Sequence, residues 1–285
     1  MTRRALAAAA TPLTTDGAAL DEDAFGPLTD FFVGAGLDGI LVAGTTGEGM
    51  LLTVPERKRA TELFLEASDG RQVVIAHCGA QSTADTVALA DHAGAAGADG
   101  VAVIGPPYFR LDEAELLAHF EAAARACAPV PFYVYELKAA SGYAVPVDVL
   151  HRLRERASNF VGMKVSDAPW ESFAPYLIDG LGIYVGPESL IAQGVAAGAI
   201  GAVSALATAF PELVAEAVRT GDEADTAVVG NLRSEIERFP RHAALKHVLA
   251  RRGVPVGGAV RGPLRALTDA ERGRLDELVA VHVPA

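Results

Sequence analysis

Lysine is scarce in this chain. Only Lys58, Lys138, Lys164 and Lys246 occur among 285 residues, against twenty arginines. The setting of each lysine therefore carries information. Cysteine is scarcer still, with Cys78 and Cys127 alone. Two cysteines exclude the disulfide framework of a small secreted domain and fit a reducing, cytoplasmic location. Positive charge is in deficit, and the formal net charge is -12. An acidic chain offers no electrostatic footprint for nucleic acid or for an anionic membrane. Apolar runs long enough to cross a bilayer are missing as well. The opening has two arginines and a run of alanines, but Thr11-Pro12 follows at once. That pattern fits a first buried strand, Ala5–Ala10, better than a signal peptide. The strand is followed by Thr11-Pro12-Leu13. This is not the glycine fingerprint of a dinucleotide-binding open sheet.

Short apolar runs alternate with longer amphipathic segments. Eight runs stand out: Ala5–Ala10, Gly39–Ala43, Val73–Cys78, Gly100–Ile104, Phe132–Tyr135, Phe160–Val165, Gly182–Val185 and Ala199–Ser204. Runs without polar alternation are the mark of parallel strands buried on both faces. Pro55–Ser68 and Glu113–Cys127 read as helices, the first opening on proline and an acid. Eight β–α units over residues 1–220 predict a closed (β/α)8 TIM barrel. Residues 221–285 keep a helical pattern through Val279 with no linker before it. They are expected to form a helical extension packed on the barrel.

Reacting groups in such a barrel sit where the strands end. Strand six holds Lys164 inside Val161-Gly162-Met163-Lys164-Val165. Burial disfavours an ammonium, so a lysine there is pushed toward the neutral amine, a nucleophile for carbonyl carbon. The bland alternative is a lysine reaching water or pairing with an acid such as Asp167. Strand two runs into Gly44-Thr45-Thr46-Gly47-Glu48. Its backbone N–H groups and hydroxyls can cradle an anion, although many ordinary turns look similar. Strand five ends at Tyr135, a candidate general acid or base or else a packing aromatic. Gly186 and Ser204, at the ends of strands seven and eight, belong to the expected substrate-binding set with Thr46, Gly47 and Ala140. His77 and Cys78 do not suggest zinc, because adjacent strand residues face opposite ways. One should line the pocket and the other the core. His92, His119 and His151 lie in helical patterns and are expected on the surface.

At these residues the chain resembles the dihydrodipicolinate synthase and N-acetylneuraminate lyase family of class I pyruvate-dependent lyases. The likeness runs through Ala10-Thr11-Pro12-Leu13, Gly44–Glu48, Tyr135, Lys164, Gly186-Pro187-Glu188, Gly198–Ser204, Pro211-Glu212 and Val260–Leu264. The resemblance implies that Lys164 forms a Schiff base with a 2-oxo acid. Thr45 and Thr46 would hold the carboxylate, and Tyr135 with Thr45 would move protons. It also implies a small aldehyde as second substrate, no metal, no organic cofactor, and a homotetramer of paired dimers. Departures are visible. Phe109 stands where a tyrosine is usual. Ala140 stands where the synthase branch has an arginine for a second carboxylate. Glu136, Lys138 and His77 replace an asparagine, a proline and a glycine. These changes argue against 4-hydroxy-tetrahydrodipicolinate synthesis and for another aldehyde. A sugar-acid dehydratase or hydratase-aldolase using the same imine, a true 4-hydroxy-tetrahydrodipicolinate synthase, a non-catalytic 2-oxo acid binder and a metal-dependent aldolase remain as alternatives.

Overall fold

A computed structural model describes residues 3–282. Eight strands close into a parallel barrel in chain order: β1 (Arg4–Ala8), β2 (Gly39–Val42), β3 (Val73–His77), β4 (Gly100–Ile104), β5 (Phe132–Glu136), β6 (Phe160–Val165), β7 (Gly182–Val185) and β8 (Gly201–Ser204). The predicted TIM barrel is thus the fold, and each predicted strand is present to within a few residues. Strand eight starts two residues later than the apolar run, because Ala199 and Ile200 belong to the turn entering it.

Twelve helices occur among the described residues: α1 (Phe25–Gly34), α2 (Val54–Ser68), α3 (Thr83–Ala96), α4 (Glu113–Cys127), α5 (Lys138–Ser141), α6 (Val147–Arg156), α7 (Trp170–Phe173), α8 (Ile191–Ala196), α9 (Pro211–Thr220), α10 (Glu223–Ile236), α11 (Arg241–Arg251) and α12 (Asp269–His282). Local chemistry sets their ends. Thr53 and Glu56 form a reciprocal capping box on α2, and Asp112 and Glu115 form one on α4. Gly97 closes α3 at φ +90°, a conformation glycine adopts without a Cβ penalty.

The unbroken apolar runs have a simple cause: both faces of each strand are covered. Outward side chains such as Val42, Val74, Val101, Val103 and Val134 pack under the helices. Inward ones, Leu6, Leu41, Ile75, Ala102, Tyr184 and Val203, fill the barrel axis. Among the described residues, no helix is long and apolar enough to cross a membrane.

Two expectations are corrected. The tail is not helical throughout, because Arg252–Thr268 contains no helix and instead runs back over the barrel mouth. There the Arg261 N–H donates to Glu48 Oε2 at 2.6 Å. His119 is not a surface residue. It is 3% exposed, and its Nδ1 lies 2.9 Å from Thr83 Oγ1, because α3 and α4 pack side by side. Burial lowers its pKa to about 4. His92 is half-buried and His151 exposed.

Candidate active site

Strand register builds the centre of the site. Tyr135 on β5 pairs with Lys164 on β6, and Lys164 pairs with Tyr184 on β7. Side chains alternate along a strand, so residues 133 and 135, like 164 and 166, share the inner face. Lys164 is 7% exposed and Tyr135 2%. The Lys164 ammonium nitrogen lies 4.3 Å from the centre of the Tyr135 ring. The Tyr135 hydroxyl and Thr45 Oγ1 are hydrogen-bonded at 3.1 Å. Burial alone would raise the Tyr135 pKa. The neighbouring Lys164 charge and the Thr45 and Ser166 hydroxyls outweigh it and hold the phenol below its usual value. A phenol so placed gives up its proton more readily, so the phenolate that can act as a base is more available.

The loop after β2 is shaped by close backbone approach. A Cβ on Gly47 would sit 2.8 Å from the Ala9 carbonyl oxygen, and one on Gly49 only 1.7 Å from that of Ala43. Both positions therefore require glycine. Ala43 and Glu48 adopt positive φ angles of 52° and 58°. Such conformations cost non-glycine residues on the order of 1–3 kcal/mol and persist where the surroundings enforce them. The enforcement is visible. Thr11 Oγ1 donates to Gly47 O at 2.6 Å, and the His242 ring Nε2 lies 2.9 Å from Thr45 O. Among the described residues, the Thr45 and Thr46 N–H groups have no hydrogen-bond acceptor within the protein. Two free N–H groups in a tight loop form a concavity suited to a carboxylate.

Glu48 turns away from this loop toward α11. Its Oε1 lies 2.6 Å from Lys246 Nζ, and both side chains are fully buried. Lys246 also donates to the Ala259 carbonyl at 2.8 Å. Burial lowers the Lys246 pKa despite Glu48 beside it. Lys246 is therefore a second buried lysine, but its nitrogen is committed to a carboxylate and a carbonyl. Only Lys164 faces the cavity.

That cavity encloses about 290 Å³. Its barrel side is lined by Lys164, Tyr135, Thr45, Thr46, Ser166 and Gly186. A Cβ on Gly186 would lie 2.2 Å from Ser166 Oγ, so glycine keeps the floor open. The opposite side carries Arg233 from α10, Glu237, and Arg241 from the start of α11. Ser204 departs from expectation. It is fully buried, outside the lining, and its hydroxyl donates to Glu188 Oε1 at 2.6 Å. The hydroxyl predicted to bind substrate is instead engaged with Glu188. Ala140 is exposed and lies on a second, mostly apolar cavity of about 190 Å³. That cavity shares Thr45 with the first and also receives His77.

His77 is the pocket-facing member of the His77–Cys78 pair. Its ring centroid lies 5.7 Å from that of Tyr135, and Nδ1 is 3.1 Å from Ala43 O. Cys78 sits in the outer core. Burial, with the Arg57 charge beside it, lowers the His77 pKa to about 3, so the ring is neutral at ordinary pH. Glu136 occupies the outer face of β5. Its Oε2 accepts from the Val145 N–H at 2.8 Å. Burial, with Asp167 adding to it, raises its pKa to about 8.

Sequence reasoning missed Ser166, Arg233, Glu237, Arg241 and the Glu48–Lys246 pair. Ser166 could have been found two residues after Lys164, on the same strand face. The other positions depend on helix docking, which no local pattern reveals.

Comparison with known proteins agrees with this fold. The dihydrodipicolinate synthetase family model matches residues 1–281. An uncharacterised DapA-like lyase of Halobacterium salinarum is 36% identical over 266 residues, covering 90% of this chain and 86% of that protein. The crystal structure of dihydrodipicolinate synthase from Aquifex aeolicus superposes with a TM-score of 0.90 at 26% identity, covering 98% of both chains. The N-acetylneuraminate lyase of Proteus mirabilis superposes at 0.89 with 28% identity, covering 99% of this chain and 98% of that one. The two solved structures carry different names on one scaffold, and this chain belongs to the same group, the dihydrodipicolinate synthetase family of lyases.

Proposed function

We propose that the protein is a Schiff-base lyase or aldolase acting on a pyruvate-type 2-oxo acid and an aldehyde. The observation that carries this reading is the convergence of the Lys164 amine, the Tyr135 phenol and the Thr45 hydroxyl on one cavity. The Lys164 amine adds to the ketone carbon and water leaves, giving an imine. The substrate carboxylate rests on the N–H groups of Thr45 and Thr46, with Gly47 keeping the backbone close. Loss of a proton from the neighbouring carbon gives an enamine, and Tyr135 is the base in reach. The enamine carbon then bonds to the aldehyde carbon, whose oxygen takes up a proton through the Tyr135–Thr45 pair. Water finally returns the free amine. Run backward, the same steps cleave the bond.

A dehydratase working through the same imine is the second reading, favoured by the polar wall opposite Lys164. Synthesis of 4-hydroxy-tetrahydrodipicolinate is disfavoured, because Ala140 offers no cation for a second carboxylate. The test is incubation with pyruvate, borohydride reduction and mapping of the adduct. Modification of Lys164 is expected. Modification of Lys138 or Lys246, or no adduct with any 2-oxo acid, would overturn the reading.

A homo-oligomer, a tetramer by family resemblance, is part of the same proposal. Tyr108 and Phe109 stack edge to face and are 88% and 64% exposed. Such an aromatic pair favours burial against another copy. Light scattering at micromolar concentration is expected to give a mass above one chain, and a monomer would contradict it.

A further inference from the structure

The far wall of the cavity carries a second device, built from α10 and the start of α11. Arg233 and Arg241 both line the cavity, and Glu237 lies between them. A single oxygen, Glu237 Oε1, accepts from Arg233 Nε at 2.8 Å and from Arg241 Nη1 at 2.9 Å. Arg233 Nη2 reaches the same atom. Two guanidiniums converging on one oxygen make a clamp for an anion. Here the clamp is already filled by the protein's own carboxylate. Glu237 Oε2 has no hydrogen bond among the described residues.

The wall is also electrically balanced. Arg233 Nη1 lies 3.2 Å from each carboxylate oxygen of Glu188, so two arginines face two carboxylates. Partial burial works against the Glu237 charge. Arg241 and Arg233 outweigh that and hold the carboxyl below its ordinary range, so it stays ionised. Ser189 and Ser234 add hydroxyls to the same wall.

We infer that Glu237 sets substrate specificity by occupying the Arg233–Arg241 clamp, so that the cavity takes a 2-oxo acid with an uncharged, hydroxylated tail and rejects a second anionic group. The inference rests on the imine reading of Lys164. The substrate's first carboxylate belongs at Thr45 and Thr46. A phosphate or second carboxylate at the tail would meet the Glu237 charge and would have to displace it from both arginines. Tail hydroxyls can instead donate to the open Glu237 oxygen without breaking an ion pair. Like charges brought together in a partly desolvated site are strongly disfavoured.

The test uses a matched pair of probes, a six-carbon 2-oxo-3-deoxy sugar acid and its terminal phosphate ester. Each is incubated with the full-length protein and reduced with borohydride. All adducts at Lys164, intact or cleaved to pyruvate, are summed by mass. The ratio of the two half-saturation concentrations is the readout, so a general loss of stability or chemistry cancels. Wild type is expected to favour the unphosphorylated acid by about tenfold or more. Glu237→Gln keeps the shape, removes the charge and should shrink the ratio. Glu237→Ala opens the clamp and should reverse it. Three outcomes overturn the inference: a wild-type preference for the phosphate ester, an unchanged ratio in both variants, or trapping of pyruvate but of neither six-carbon acid. Failure to trap pyruvate itself would overturn the imine reading and this inference with it, which keeps the two failures distinguishable.

Discussion

The wall that carries Lys164 and Tyr135 and the wall that carries Arg233, Glu237 and Arg241 are held in different ways. The first belongs to adjacent hydrogen-bonded strands with apolar packing on both faces, and its two side chains are almost sealed from solvent. The second belongs to helices beyond the barrel, and its side chains are 22%, 42% and 24% exposed. Its residues are held chiefly by one another's charges. Side chains locked by surrounding packing are positioned more tightly than those braced only by partly solvated partners. Chemistry that needs a fixed nucleophile therefore sits on the barrel. On the proposed reading, recognition of the rest of the substrate falls to the more adjustable helices. The seam between the two is the Glu48–Lys246 pair, which ties the anion loop to α11.

Removing the nucleophile should break the comparison most sharply. Lys164→Ala is expected to reduce pyruvate-dependent turnover on the order of 10⁴-fold or more. Circular dichroism should show a retained fold, since the truncation enlarges an existing cavity. Residual turnover within tenfold of wild type would remove Lys164 from the mechanism.

The seam comes next. Lys246→Met leaves Glu48 as a buried charge without its partner, a change that costs about 3–5 kcal/mol. Urea unfolding should report that loss, and the double change Lys246→Met with Glu48→Gln should recover most of it. A loss below about 1 kcal/mol would mean that the pair contributes little to docking the extension.

The barrel side also has a pH signature. The Glu136 pKa is raised from 4.5 to about 8, so the folded protein keeps a proton that the unfolded chain releases. Stability from this group is full below the ordinary carboxylate value and falls as pH rises toward about 8. Glu136→Gln should remove that slope, gaining roughly 2–4 kcal/mol over wild type at alkaline pH and little near pH 5. Urea titrations at the two pH values decide it. An equal effect at both would show that Glu136 does not carry the slope.

The smallest expected change sharpens the comparison by moving a cation to the barrel side. Ala140→Arg adds a bidentate partner beside Thr45, worth about 1.5–3 kcal/mol for a second carboxylate. Condensation of pyruvate with aspartate semialdehyde, followed in a coupled reductase assay, should rise about tenfold to a hundredfold. Fast wild-type turnover of that aldehyde would contradict the reading of Ala140.

How much of this could be read in the sequence follows the same division. The eight strands were legible because a strand buried on both faces must be apolar throughout, and that leaves a local trace. Lys164, Tyr135 and Thr45 were legible because strand ends converge by topology. Ser204 misled, since a strand end gives the direction of the chain but not what a hydroxyl will bond, and here Glu188 claims it. Arg233, Glu237 and Arg241 left no local signal. On a helix they look like ordinary surface charges, and only the docking of α10 and α11 turns them toward the cavity. His119 shows the converse, a polar residue in an amphipathic pattern that the packing of α3 on α4 buries.

The Glu48–Lys246 pair differs from the Arg233–Glu237–Arg241 cluster in one more respect. Dissolved ions cannot approach a pair with no exposed surface, whereas they mingle freely with side chains a quarter to nearly half exposed. Raising the salt concentration therefore leaves the anion loop braced and loosens the far wall. If the proposed specificity holds, ionic strength becomes an external dial on which tails the cavity accepts, while the grip on the 2-oxo end stays mechanically constant.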